Sequence, residues 1–232
     1  MRNNSLFFYW VLLAFFVVAC GPKIRQIDYQ SKTQELFSSK TIDHPLDAKV
    51  RPYRESLALE MNALVGVANC TMSKARPEGT LGNFTADLLQ AYAVAYFADS
   101  AKNTKIITML NNGGLRAPIN EGQITLRNVF ELMPFDNKIV FVKIRKEKFT
   151  EMVDYLNQAG GEPISGFRKN DPPIETDFWI ATSDYLSEGG DKMSFFKDPI
   201  MVVQTGHLLR DEIKSFIQKQ GEVCSKLDGR WQ

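Results

Sequence analysis

Past residue 46, apolar positions recur in two rhythms. Tyr53, Leu57, Met61 and Leu64 are spaced for one face of a helix. So are Phe84, Leu88, Ala91, Tyr92, Ala95 and Tyr96, then Phe149, Met152, Val153 and Leu156, and finally Leu209, Ile213, Phe216 and Ile217. Recurrence at three and four residues places a stripe on one side of a helix. Between these stretches lie short apolar runs that read as strands: Val65–Cys70, Lys105–Leu110, Ile139–Ile144, Phe178–Ala181 and Ile200–Val203. Residues 160–173 are rich in Gly, Pro and polar side chains and predict a hairpin or a long loop. The two rhythms alternate without an internal repeat, which predicts a mixed α and β class.

Residues 1–46 follow neither rhythm. Arg2 supplies one positive charge, and Leu6–Val18 is then an unbroken apolar run. A secretory apolar region spans ~7–15 residues, whereas a membrane-crossing helix needs roughly 20. The run fits the first. It ends in Val17-Val18-Ala19-Cys20-Gly21, which resembles the lipobox of bacterial lipoproteins. That resemblance implies a signal peptide over 1–19, cleavage before Cys20 and lipidation of Cys20, with the chain exported and held to a membrane through the lipid. Gly21 in place of Asp resembles outer-membrane sorting signals, so a lipoprotein of the outer membrane facing the periplasm is expected. Residues 20–46 mix Lys, Gln, Ser, Asp and Thr with few apolar residues and read as a tether. Pro45 closes it, and the folded domain is expected over 47–232.

Charge and cysteine content narrow the chemistry. The chain carries 28 basic and 27 acidic residues, a balance that gives no footing for a nucleic-acid polymer as partner. Cys70 and Cys224 are the cysteines besides Cys20. Export to an oxidising space allows them a disulfide, but two buried thiols fit the sequence equally well. There are two histidines, His44 and His207, with His207 read as a helix-start residue. A binuclear metallohydrolase needs several His, Asp and Asn ligands. HExxH, Cys/His clusters, GxxxxGK[ST] and GxSxG patterns are all absent from the sequence. No cofactor or metal is therefore expected on this chain, and hydrolysis by this domain alone is not expected.

The positive signals sit at turns. The run Asn111-Asn112-Gly113-Gly114-Leu115-Arg116 follows a strand. Paired glycines let the backbone approach a ligand, and Arg116 offers a planar fork of donors to a phosphate or carboxylate. Alone, this is also what an ordinary turn with a surface arginine looks like. Upstream stands Arg76-Pro77-Glu78-Gly79-Thr80-Leu81-Gly82-Asn83-Phe84-Thr85-Ala86-Asp87. Downstream come Val129-Phe130-Glu131-Leu132-Met133-Pro134-Phe135-Asp136-Asn137 and Gly189-Gly190-Asp191. In this order the four stretches resemble the C-terminal domain of the 5'-nucleotidases, over about Asn62 to Trp231.

The resemblance implies a layered αββα fold with mixed sheets and a nucleotide or nucleoside as ligand. It implies that Asn111 and Arg116, with Gly113 and Gly114 between them, contact the nucleotide. Phe135 would stack on the base and Asp191 would join the site. Arg76, the arginine nearest the Leu-Gly-Asn helix, would reach the phosphate. Read without the family, Phe135 is equally a core anchor behind Pro134, and Asp191 is a turn residue after two glycines. One position departs from the pattern. The aromatic expected after Gly-Gly-Asp-Gly is replaced by Met193, with Phe195 and Phe196 just beyond. Phe195 is the candidate to close the base sandwich, or it is ordinary core. Complete members also carry a two-metal phosphoesterase domain, which is not expected on this chain. The implied role is the nucleotide-recognition half of a 5'-nucleotidase-type phosphohydrolase, acting with a separate metallophosphatase that brings the divalent metal. The alternatives are a stand-alone nucleotide- or nucleoside-binding lipoprotein with no hydrolytic role, and a periplasmic interaction protein using the same cleft for peptides.

Overall fold

A computed structural model describes residues 44–98 and 104–231. Cys20, the signal segment and most of the expected tether lie outside the described residues. The first element, α1 (His44–Met61), begins three residues before the expected domain start, with Pro45 in its first turn, where a missing N–H costs nothing. Its helical spacing is real, but none of its residues is buried. Residues 48–232 make up the larger unit of the chain.

Two mixed sheets organise the larger unit. The small one has the order β3 (Gly122–Thr125), β1 (Leu64–Ala68), β8 (Glu222–Val223). β1 pairs antiparallel with β3 and parallel with β8. The large sheet has the order β5 (Ile164–Ser165), β2 (Ile106–Met109), β6 (Phe178–Ser183), β4 (Lys138–Ile144), β7 (Met201–Leu208). Here β2 and β6 run parallel and the remaining pairs are antiparallel. This is the expected α+β class with mixed sheets. β3 and the helix it leads into, α3 (Leu126–Leu132), were not legible as apolar runs. Their entry is set by polar chemistry, since the backbone N–H of Thr125 donates to Asn128 Oδ1 at 2.9 Å.

The central strands β2, β6 and β4 are buried on both faces, and the two-residue period decides which side chain goes where. Ile107, Met109, Val140, Val142, Ile144, Phe178 and Ile180 point into one core, roofed by α4 (Phe149–Ala159). Their neighbours Ile139, Phe141, Trp179 and Ala181 point into the other. That second core is shared with α2 (Thr80–Tyr96), α6 (Leu209–Gln220) and the small sheet. Strands covered on both faces read as continuous apolar runs, which is why Ile139–Ile144 and Phe178–Ala181 stood out in the sequence.

The termini of this unit are held by specific bonds. Cys70 and Cys224 form a disulfide with Cα atoms 5.4 Å apart, joining the chain just after β1 to the chain just after β8. Arg230 donates from both terminal nitrogens to the carboxylate of Asp87 on α2, at 2.8 and 3.1 Å, and from Nε to Asp228 at 2.8 Å. Trp231 is buried in the α4-side core. His207 lies in β7 rather than opening α6, with its ring nitrogen 2.9 Å from Glu212.

Candidate nucleotide-binding cleft

Three loops at the strand ends converge on one open cavity of about 380 Å³. The first follows β2 and carries Asn111, Gly113, Gly114 and Arg116. The second follows α3 and carries Phe135 and Asn137. The third follows β6 and carries Tyr185 and Asp191. Six of the eight predicted site residues thus line a single cleft, although they span eighty positions of sequence. Clefts at the ends of sheet strands are common ligand sites.

Asp191 is the hub. Its Oδ2 accepts from Asn111 Nδ2 at 2.6 Å, and its Oδ1 accepts from the Tyr185 hydroxyl at 2.9 Å. The turn that presents it is unusual. Gly189 has φ 93°, and Asp191 and Lys192 follow at φ 52° and 65°. Left-handed backbone is rare for residues with a Cβ and is best tolerated by Asn and Asp, whose short polar side chains bond locally. Outliers of this kind concentrate at ligand sites. Space rather than φ singles out Gly114, because a Cβ there would sit 2.8 Å from Asn111 Oδ1 and the Asn111 amide would have to move.

The second loop is fixed from behind. The Arg116 backbone N–H donates to the Leu132 carbonyl at 2.8 Å. Arg210 of α6, itself buried, donates to Asp136 Oδ1 at 2.6 Å and to the Phe135 carbonyl at 3.4 Å, with its guanidinium 4.2 Å from the centre of the Phe130 ring. Phe135 is consequently held by its backbone while its ring stays 44% exposed. Tyr185 is 49% exposed at the start of α5 (Asp184–Ser187), which Ser183 caps by accepting from the Leu186 N–H. Two large rings thus stand half exposed at the mouth of one cleft. The Arg116 guanidinium donates to the Gly113 carbonyl, at 3.2 Å, and among the described residues no carboxylate pairs with it. Its remaining donors face solvent.

Two predicted site residues fall elsewhere. Phe195 is fully buried, 4.6 Å from the Phe196 ring and 5.7 Å from the Tyr155 ring, in the α4-side core with Met193. It does not line the cleft, and Tyr185 is the aromatic that does. Nothing in the order of motifs marks Tyr185, since it precedes Gly189-Gly190-Asp191 rather than following it. Its one sequence signal is the Ser183-Asp184 helix start before it, which places it on a helix but says nothing of exposure. Arg76 also lies outside the cleft lining and donates to Glu162 Oε1 at 2.6 Å and to the Ala159 carbonyl. The cleft's donor set does not suit a divalent cation. It offers one carboxylate, both of whose oxygens already accept hydrogen bonds, beside a guanidinium.

The model of the 5'-nucleotidase C-terminal domain matches residues 62–164. The chain superposes on the 5'-nucleotidase precursor of Thermus thermophilus with a TM-score of 0.65 at 19% identity, over 82% of this chain and 43% of that one. The fold is that of the 5'-nucleotidase C-terminal domain. A 5'-nucleotidase of Diplobatis ommata is 26% identical over 84% of this chain and 41% of its own length. The trifunctional nucleotide phosphoesterase of Bacillus subtilis is 28% identical over 66% of this chain and 12% of its own. The chain therefore spans less than half the length of these relatives. In this domain the cleft is formed by the Asn111–Arg116, Met133–Asn137 and Tyr185–Asp191 loops. No helix among the described residues is long and apolar enough to cross a membrane.

Proposed function

We propose that this chain is the nucleotide-recognition part of a 5'-nucleotidase-type phosphohydrolase, held at a membrane through Cys20 and acting with a separate metallophosphatase that carries the divalent metal. The observation that carries the reading is the pair of exposed rings, Phe135 and Tyr185, at a cleft that also holds Asn111, Asp191 and the exposed guanidinium of Arg116. Aromatic rings bind a base by its π-face, at about 1–3 kcal/mol per stacked base. The Asp191 carboxylate accepts sugar hydroxyls, and Arg116 attracts the phosphate end. These groups bind and orient. A divalent metal on the partner would supply the activated water, and the gain from joining the halves would be positional, with Phe135, Tyr185, Asp191 and Arg116 holding the nucleotide. Tethering both to one membrane raises their effective concentration.

The test mixes the soluble domain with an exported metallophosphatase that lacks such a domain, in the presence of a divalent metal. Phosphate release from AMP is measured for each protein alone and for the mixture. Release that rises only in the mixture supports the reading. A partner already fully active alone, with no gain on mixing, removes the hydrolytic role and leaves a nucleotide-binding protein.

A smaller effect follows from Gly114. The Gly114→Ala variant is expected to push Asn111 off Asp191 and weaken adenosine binding by about 1 kcal/mol, the size of one hydrogen bond. Its unfolding temperature should stay unchanged, because the backbone at this position is open to alanine. Calorimetry and thermal melts on the same sample check both halves.

A further inference from the structure

We propose that Glu162 is a positioning residue for the cleft, a buried carboxylate that clamps the Asn111–Gly114 turn by taking the Asn112 amide as the last rung of the β2–β5 ladder, with Arg76 as its counter-ion rather than a ligand contact. The inference rests on the binding role proposed above.

The ladder explains the placement. β2 and β5 pair at Thr108 with Ser165 and at Met109 with Ile164. The next rung is still main-chain, the Leu110 N–H donating to the Pro163 carbonyl at 2.9 Å. There the chain after β2 turns toward the cleft, and no carbonyl follows it. The Glu162 side chain takes over, its Oε2 accepting from the Asn112 backbone N–H at 2.6 Å and from Asn112 Nδ2 at 3.0 Å. The Gly161 carbonyl adds a longer contact to Asn112 Nδ2 at 3.3 Å. On the far side, Oε1 accepts from Arg76 Nη2 at 2.6 Å. Glu162 is 6% exposed, whereas the Arg76 side chain is half in water.

The approach depends on Gly161. It has φ 94°, and a Cβ there would collide with the Pro77 carbonyl oxygen. The α4 helix ends on Gly160 and Gly161, which brings the segment carrying Arg76 and the turn carrying Asn112 onto opposite oxygens of one carboxylate. Asn112 sits between Asn111, which bonds Asp191, and Gly113, which lines the cleft. Fixing its N–H fixes both neighbours.

All three donors on Glu162 are N–H groups, so the ionised form fits and a proton displaces a donor. Burial raises the carboxyl above the usual range, opposed first by the Asn112 hydrogen bonds and the Arg76 charge. Tyr155 of α4 and Asp191 also act on it electrostatically, and Glu78 and Arg230 line the same small void. The signs then separate two properties. The folded state holds this proton more tightly than the unfolded state, so for this group alone global stability is greatest below the ordinary carboxylate range and falls as pH rises. Order of the Asn112 turn runs the other way and is lost as pH falls.

Hydrogen exchange on the unliganded domain reads the clamp without any ligand. In Glu162→Ala, the amides of Asn112 to Gly114 are expected to exchange roughly ten-fold faster or more, the scale of a lost charge-assisted hydrogen bond, with β4 and β6 unchanged. Glu162→Gln keeps the shape and should abolish the acid-dependent loosening of Asn112 expected in the wild type, which keeps the question open to test if the alanine variant does not fold. Adenosine affinity should fall in parallel with turn exchange in both variants. Unchanged exchange at Asn112 in a folded Glu162→Ala domain overturns the clamp. Faster exchange with unchanged adenosine affinity overturns the positioning role. Should the wild type fail to bind adenosine while its turn loosens as described, the clamp stands and the binding role falls.

Discussion

Replacing Cys70 and Cys224 together by serine is expected to lower the unfolding free energy by about 2–5 kcal/mol, the largest effect of any surface change considered. The bond closes a loop with a sequence separation of 154, and the denatured chain loses more freedom the longer the loop. The native side gives a second reason. β8 meets β1 at only two register positions, Val67 with Glu222 and Ala68 with Val223. Its hydrogen bonds include Val67 N–H to the Gly221 carbonyl and Asn69 N–H to the Val223 carbonyl, both 2.9 Å. So short a strand has little else to hold its register. Urea unfolding of the oxidised, reduced and doubly substituted domain checks this. Equal midpoints for all three would mean that the bond is thermodynamically idle.

Phe135→Ala is expected to weaken adenosine binding by about 1–3 kcal/mol while leaving the urea midpoint unchanged. The split between the two readouts is what distinguishes a stacking ring from a core anchor. A buried Phe cut to Ala costs ~3–5 kcal/mol of stability, but Phe135 is nearly half exposed and its loop is held by Arg210 and Arg116 through the backbone. Tyr185→Phe, by contrast, should keep the ring face and lose only the bond to Asp191. Its effect on binding should be smaller than that of Tyr185→Ala. A Phe135→Ala domain that binds adenosine normally would remove the stacking role. One that unfolds early would move Phe135 into the core.

Much of the cleft was legible because its chemistry is local in sequence. A glycine pair flanked by Asn111 and Arg116, or a proline-aromatic pair such as Pro134-Phe135, is an ordinary turn when read alone, and gains its meaning from the order in which the four motifs follow one another. The aromatic partner was not local. Met193, Phe195 and Tyr185 are all large apolar or aromatic residues within eleven positions, and sequence does not say which of them faces water. The short 3-10 turn over Ser194–Phe196 rolls both phenylalanines against α4, and Met193 goes with them into the same core. Tyr185 is left outside with its hydroxyl on Asp191. Arg76 is a similar case. An arginine can serve a phosphate or a buried carboxylate, and the choice depends on Glu162, far along the chain.

The periodicities of the chain determined the elements. The near-continuous apolar run Ile139–Ile144 fits a strand covered on both sides, and the three-and-four spacing after Phe149 fits a helix that buries one face. Pairing of distant segments was decided by the tertiary structure alone: which strands are neighbours, that Cys70 meets Cys224, and that Glu162 lies under Asn112. Such contacts are set by the joint packing of two cores on one sheet, and no stretch of local sequence carries that information.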